Sequence, residues 1–192
     1  MNFSNKIIIF KNDAVGDLVQ SLDAINNIIN YNKANKIILY LSERSKGFSF
    51  FFRFKNVEVK ILNYDLTFLE KFKILINLSF DKIKSIYILT PKNFYFFLPF
   101  LFRKIRFYGL CLNSHNDYKR PSIFLRKYLY KYVINDRSCI IKRPSTMDLQ
   151  KKLTEDLNYD KKFEIIEIPN FSIKEFKKID NYIYFHLKLS NF

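Results

Sequence analysis

Short apolar runs of strand length alternate along this chain with stretches whose apolar residues return every three or four positions. The first run, Ile7, Ile8, Ile9 and Phe10, ends in the polar turn Lys11-Asn12-Asp13 and leads into Ala14-Val15-Gly16-Asp17. From there Leu18, Leu22, Ile25, Ile28 and Ile29 recur at helical spacing, so the reading is a strand, a glycine turn and a helix over 17–29. Further strands are expected at 36–41, 57–62, 85–89 and 105–108, the last ending at Gly109. Between them fall a short helix at 45–54 and a helix at 65–78, with Leu66, Leu69, Phe72, Leu75 and Ile76 on one stripe. An aromatic helix at 92–103 enters through Pro91 and is kinked by Pro99. The later part is less regular. A polar loop runs to Pro121, a basic aromatic helix is expected over 122–133, and a helix over 145–157 is capped by Ser145 with Asp148 three residues on. One more strand is expected at 181–186.

Strands alternating with helices make βαβ units, hence an α/β fold with a Rossmann-like parallel sheet and helices on both faces. In such sheets ligands gather outside the carboxyl ends of the strands, and the first strand-to-helix turn is the usual place. Val15-Gly16-Asp17 occupies that turn. It matches neither the dinucleotide fingerprint nor the phosphate loop. Glycine there lets backbone and substrate approach closely, and the helix macrodipole favours a negative side chain at Asp17.

Composition narrows the function classes. A chain of 192 residues has room for one core and part of another, which excludes a two-domain enzyme with both halves complete. With 33 Lys and Arg against 18 Asp and Glu, the net charge of +15 invites a polyanion: nucleic acid, an anionic membrane surface or a phosphorylated substrate. Much of that excess sits on Lys beside abundant Ile, Asn, Phe and Tyr, a composition that AT-rich codons favour, and reads as a solvated lysine surface. Tyr and Lys interleaved over 126–132 could stack and neutralise a single strand, but RNA-binding aromatics of the usual pattern are missing, so nucleic acid is the less favoured partner. Cys111 and Cys139 have no metal-site spacing and read as reduced thiols of a cytoplasmic protein; His115 stands without a second ligand. The run at 7–10 is too short for a secretory core and 94–102 too short to span a bilayer. The aromatic helix at 92–103, with Arg103, Lys104 and Arg106 close behind, can either pack on the sheet or rest on an anionic membrane.

The segment from Lys6 to Ile25, through Lys11-Asn-Asp-Ala-Val-Gly-Asp17, resembles the opening of glycosyltransferase family 9, the bacterial heptosyltransferase family. More loosely the resemblance takes in the strand at Lys36, the strand and loop at 86–93, the Arg106-Phe-Tyr-Gly109 run and the late strand ending in His186. It implies a GT-B architecture, of which this chain would be the N-terminal half: an acceptor-side domain at 1–180, followed by 181–192 as the first strand of a donor domain otherwise missing. The implied reaction is metal-independent, inverting transfer of a sugar from a nucleotide donor such as ADP-heptose to a lipopolysaccharide or surface-glycan acceptor. No cofactor is expected, and the truncated chain alone would be inactive. The family's base falls on Asp17, with Gly16 opening the turn; Lys11, Lys92 and Arg120 are the candidates by position for binding a phosphorylated acceptor. Leu187 to Phe192 replace the glycine- or threonine-rich turn expected after His186, so no donor-binding residue is assigned. The implied location is the cytoplasmic face of the inner membrane. The rival reading is a non-catalytic basic module that binds nucleic acid or an anionic membrane surface.

Overall fold

The computed structural model describes residues 5–113, 119–137 and 144–157. The chain divides into two compact units, Met1–Lys161 and Lys162–Phe192, and every described residue belongs to the first. The expected strand at 181–186, the boundary at 180/181, His115, Cys139 and His186 lie outside the described residues.

Seven strands occur among the described residues: β1 (Lys6–Lys11), β2 (Lys36–Ser42), β3 (Val57–Leu62), β4 (Ile83–Ile88), β5 (Arg106–Asn113), β6 (Lys119–Arg120) and β7 (Lys131–Asp136). Six run parallel in the order β3-β2-β1-β4-β5-β7, with Ile9 of β1 opposite Leu39 of β2 and Tyr87 of β4. The short β6 pairs antiparallel with Leu112 and Asn113, along the edge of β5 that β4 leaves free beyond Gly109. This is a doubly wound sheet whose strand order reverses between β1 and β4, the place where such sheets hold ligands.

The central strand explains its own sequence. β1 is covered on both faces, so its run is continuously apolar instead of alternating. Ile7 and Ile9 face one cluster with Ile37, Leu39 and Leu41, while Ile8 and Phe10 face the other with Ile38 and Tyr40. The first face is closed by α1 (Val15–Val19), α2 (Leu22–Tyr31) and α6 (Thr146–Thr154), through Leu18, Ile25 and Leu153 among others. The second is closed by α3 (Phe68–Phe80) and α4 (Asn93–Leu101) through Ile74 and Leu98, and by Leu129 just past the single turn α5 (Ile123–Arg126). Residues 46–52, expected as a short helix, form a 3-10 helix.

Three expectations need correction. The single helix expected over 17–29 is two helices, because Ser21 Oγ donates to the Asp17 carbonyl at 2.8 Å and the Ser21 N–H bonds to Leu18 instead of Asp17. The basic helix expected over 122–133 is one turn followed by β7, in which Val133 and Asn135 are buried and Tyr132 is exposed, a period of two. Nor does the fifth strand stop at Gly109. It continues to Asn113 because β7 pairs along its whole second half. The glycine serves packing: a Cβ there would stand 3.0 Å from Phe96 Cε1 and 3.1 Å from Leu129 Cδ1.

A cleft at the carboxyl edge of the sheet

At the end of β1 the chain turns through Lys11, Asn12 and Asp13, all buried. A buried ammonium needs a partner. Lys11 Nζ donates to Asp13 Oδ2 at 3.0 Å and to the Leu89 carbonyl at 3.5 Å. The other oxygen of Asp13 accepts from Thr90 Oγ1, and its main-chain carbonyl accepts from Ser42 Oγ. Asn12 donates to the Asn63 carbonyl at 3.2 Å and accepts from the Tyr95 hydroxyl at 2.7 Å, whose pKa burial pushes upward. The first strand-to-helix turn is thereby tied to β2, β4, α4 and the chain leaving β3. Its polar sequence reads as a solvated turn, yet it is a buried network.

This fixed turn leads directly into α1, whose Leu18 is buried and whose Gly16 and Asp17 face outward. Asp17 lies in its first turn, exposed, on the wall of a cleft of about 300 Å³. Lys11, Asp13, Lys92, Arg120 and Arg137 line the same cleft, so four cations and two carboxylates converge at the reversal point of the sheet. Lys92 donates to the Tyr64 carbonyl and stands 4.5 Å over the Tyr64 ring. Burial lowers its pKa, and the Asp13 and Asp65 carboxylates pull it partly back. Arg120 reaches across to the Pro91 carbonyl at 3.2 Å. The segment that carries Arg120 is held by Arg126, a buried side chain whose Nε donates to the Pro121 carbonyl at 3.1 Å and whose Nη2 donates to Asn113 Oδ1 at 2.5 Å.

Of the five sequence candidates, Lys11, Asp17, Lys92 and Arg120 thus share one cleft. Gly16 stands beside Asp17, exposed, with no positive φ and with open space where a Cβ would be. Sequence reasoning missed Asp13, Thr90 and Arg137. Asp13 was hidden by its polar neighbours, and the only signal for Thr90 was its place just beyond a strand. Arg137 was lost with β7, whose carboxyl end it follows. Chemically, the cleft offers an exposed carboxylate to accept a proton and cations to hold an anionic group nearby. Among the described residues no helix is long and apolar enough to cross a membrane.

No protein-family model matches the sequence, and no curated protein matches it. Among solved structures, the chain is similar to a glycosyl transferase of family 9 from Veillonella parvula, with a TM-score of 0.54 and 16% identity over 82% of this chain and 42% of that one. A second similar structure is the E. coli heptosyltransferase WaaC with ADP, at a TM-score of 0.48 and 10% identity over 80% of this chain and 47% of that one. The first establishes a fold shared with a family 9 glycosyltransferase. This chain spans less than half the length of either structure.

Proposed function

We propose that this chain is the acceptor-side half of a GT-B glycosyltransferase, with 1–180 as the acceptor domain and 181–192 opening a donor domain. It would act at the cytoplasmic face of a membrane on a lipopolysaccharide-type or other surface-glycan acceptor. The observation that carries the reading is the place of Asp17: exposed on a cation-lined cleft at the reversal point of the sheet, directly after the first strand. The fold shared with a family 9 glycosyltransferase supports it.

In the proposed reaction an acceptor hydroxyl attacks the anomeric carbon of a nucleotide sugar such as ADP-heptose. The new carbon–oxygen bond forms as the bond to the nucleoside diphosphate breaks, with inversion. Asp17 takes the hydroxyl proton and the diphosphate departs with the electron pair of its broken bond. No metal or other cofactor is called for. Lys92 and Arg120 meet an anionic group of the acceptor; Lys11, held by Asp13, adds its field from below. Gly16 leaves room beside the base for the sugar.

The test is glycosyl transfer from a nucleotide sugar to a phosphorylated glycolipid by the full gene product and its Asp17→Ala variant. Loss of a general base costs roughly a hundred- to ten-thousand-fold in rate. Equal rates in the two proteins overturn the assignment of Asp17.

A further inference from the structure

The helices on the second face of the sheet have an unusual exterior. On α3, Phe68, Phe72, Ile76 and Phe80 follow one another at intervals of four and all point outward, Phe68 being 80% and Phe80 85% exposed. Further along the same layer Phe97 and Leu101 of α4 and Ile123 and Phe124 of α5 are exposed as well. The α4 and α5 part is one connected surface. Phe97 lies 5.8 Å from Phe100, Phe100 lies 5.4 Å from Tyr128, and Tyr128 lies 5.6 Å from Phe124, centre to centre. Cations sit on this aromatic chain: Arg103 is 5.6 Å from the Phe100 ring and 5.4 Å from Tyr128, and Lys127 Nζ stands 4.1 Å over Phe124.

A connected apolar surface such as that of α4 and α5, with a second exposed row on α3 in the same layer, marks a place where something docks. The charge says what. The charged side chains seated on the aromatic chain, Arg103 and Lys127, are both cationic, and neither α4 nor α5 carries an acidic residue. A second copy of the same patch would meet it with like charge. Nucleic acid would use the aromatic rings and phosphates, but gains nothing from exposed Ile76, Leu101 and Ile123. A bilayer uses all three kinds of group, with aliphatic and aromatic side chains entering the acyl boundary and Arg103 and Lys127 reaching back to anionic headgroups.

We propose that the outer face of α3, α4 and α5 seats this protein on an anionic lipid bilayer. The inference rests on the membrane location in the reading above, but not on transfer: lipid binding is measured without donor or acceptor, so either can fail alone. The experiment is co-sedimentation of the full chain with vesicles of phosphatidylcholine, and of phosphatidylcholine mixed with phosphatidylglycerol. Binding is expected to the mixed vesicles only, and to fall with salt. Replacing both Ile123→Ser and Phe124→Ser removes the apolar contact of α5 and weakens binding at least roughly tenfold. The pair Arg103→Glu and Lys127→Glu weakens it by roughly 30-fold or more, at about 1 kcal/mol for each cation lost. The four side chains lie at the surface, so unchanged thermal unfolding separates lost binding from lost folding. Equal binding to both vesicle types, or undiminished binding by both variants, overturns the proposal. So does tighter binding to single-stranded nucleic acid that the same variants abolish, or self-association that the serine variants alone disperse.

Discussion

The two helical layers that sandwich the sheet are alike inside and opposite outside. Ile25 and Ile28 of α2 enter one core as completely as Leu98 and Ile74 of α4 and α3 enter the other. Outside, the α2 and α6 layer carries Asn27, Asn30, Lys151 and Lys152, and an ion pair of 3.3 Å joins Lys151 to Asp23. Its large exposed apolar residues are scattered: Val19, Tyr31 and Met147. The α3 to α5 layer presents its aromatic residues to solvent in rows. Folding rewards only the inner surfaces, so the contrast outside is free to serve an interaction. The cleft lies between, at the carboxyl edge where chain segments from both layers meet.

The comparison is broken most directly from within. Ile25→Ala and Leu98→Ala each remove a fully buried side chain, one from each core, and each is expected to cost about 2–5 kcal/mol in urea unfolding. A cost below that range for one alone would show that its layer is the looser of the two.

The glycines give a smaller and more asymmetric contrast. Gly109→Ala pushes a methyl against Phe96 and Leu129 and is expected to destabilise by about 1–3 kcal/mol. Gly16→Ala, with open space around the added Cβ and no positive φ to strain, should leave stability unchanged or raise it by roughly 0.4–1 kcal/mol. Thermal unfolding of the two variants checks both signs, and a destabilising Gly16→Ala would contradict the geometry of α1.

A further effect of modest size concerns the start of α3. α3 starts with a capping box in which Thr67 Oγ1 accepts from the Glu70 N–H at 3.2 Å and the Glu70 carboxylate accepts from the Thr67 N–H at 2.8 Å. Thr67→Ala should cost about 1 kcal/mol. Burial raises the Glu70 pKa, but the backbone N–H groups of Asn63 and Thr67 more than reverse this and hold it below 4.5. A depressed carboxylate contributes stability that is present above 4.5 and lost as pH falls through its lowered value. Glu70→Gln should therefore be less stable than the parent at neutral pH, and the difference should close in acid; a gap that persists would show that Glu70 acts by packing alone.

Much of the fold was legible because parallel strands buried on both faces are written as unbroken apolar runs. β1 and β2 stand out in the sequence for that reason, the edge strand β3 for the alternation of Val57, Val59 and Ile61, and α2 and α6 for their spacing. β7 was lost because Tyr128, Tyr130 and Tyr132 sit among lysines and suit either an amphipathic helix or a half-buried strand. In the site, Asp17 could be found from its place after the first strand and beside Gly16. Asp13 could not, since nothing in Lys11-Asn12-Asp13 tells a solvated turn from one enclosed by Ser42, Asn63, Thr90 and Tyr95. Those partners come from residues 29 to 83 positions away.

The sequence by itself determined the alternation of strand and helix and the position of a carboxylate at the first turn, because both depend on periods and neighbours within a few residues. Tertiary structure alone decided the rest. Pairing of β5 with β7 carried Gly109 into the middle of a strand, the meeting of β1 and β4 ends enclosed Lys11 with Asp13, and layering turned Leu69, Phe72 and Ile76 of the expected α3 stripe outward and Ile74 and Leu78 inward. A helical stripe states that one face is apolar; which way that face turns is fixed by the long-range contacts that bury the other.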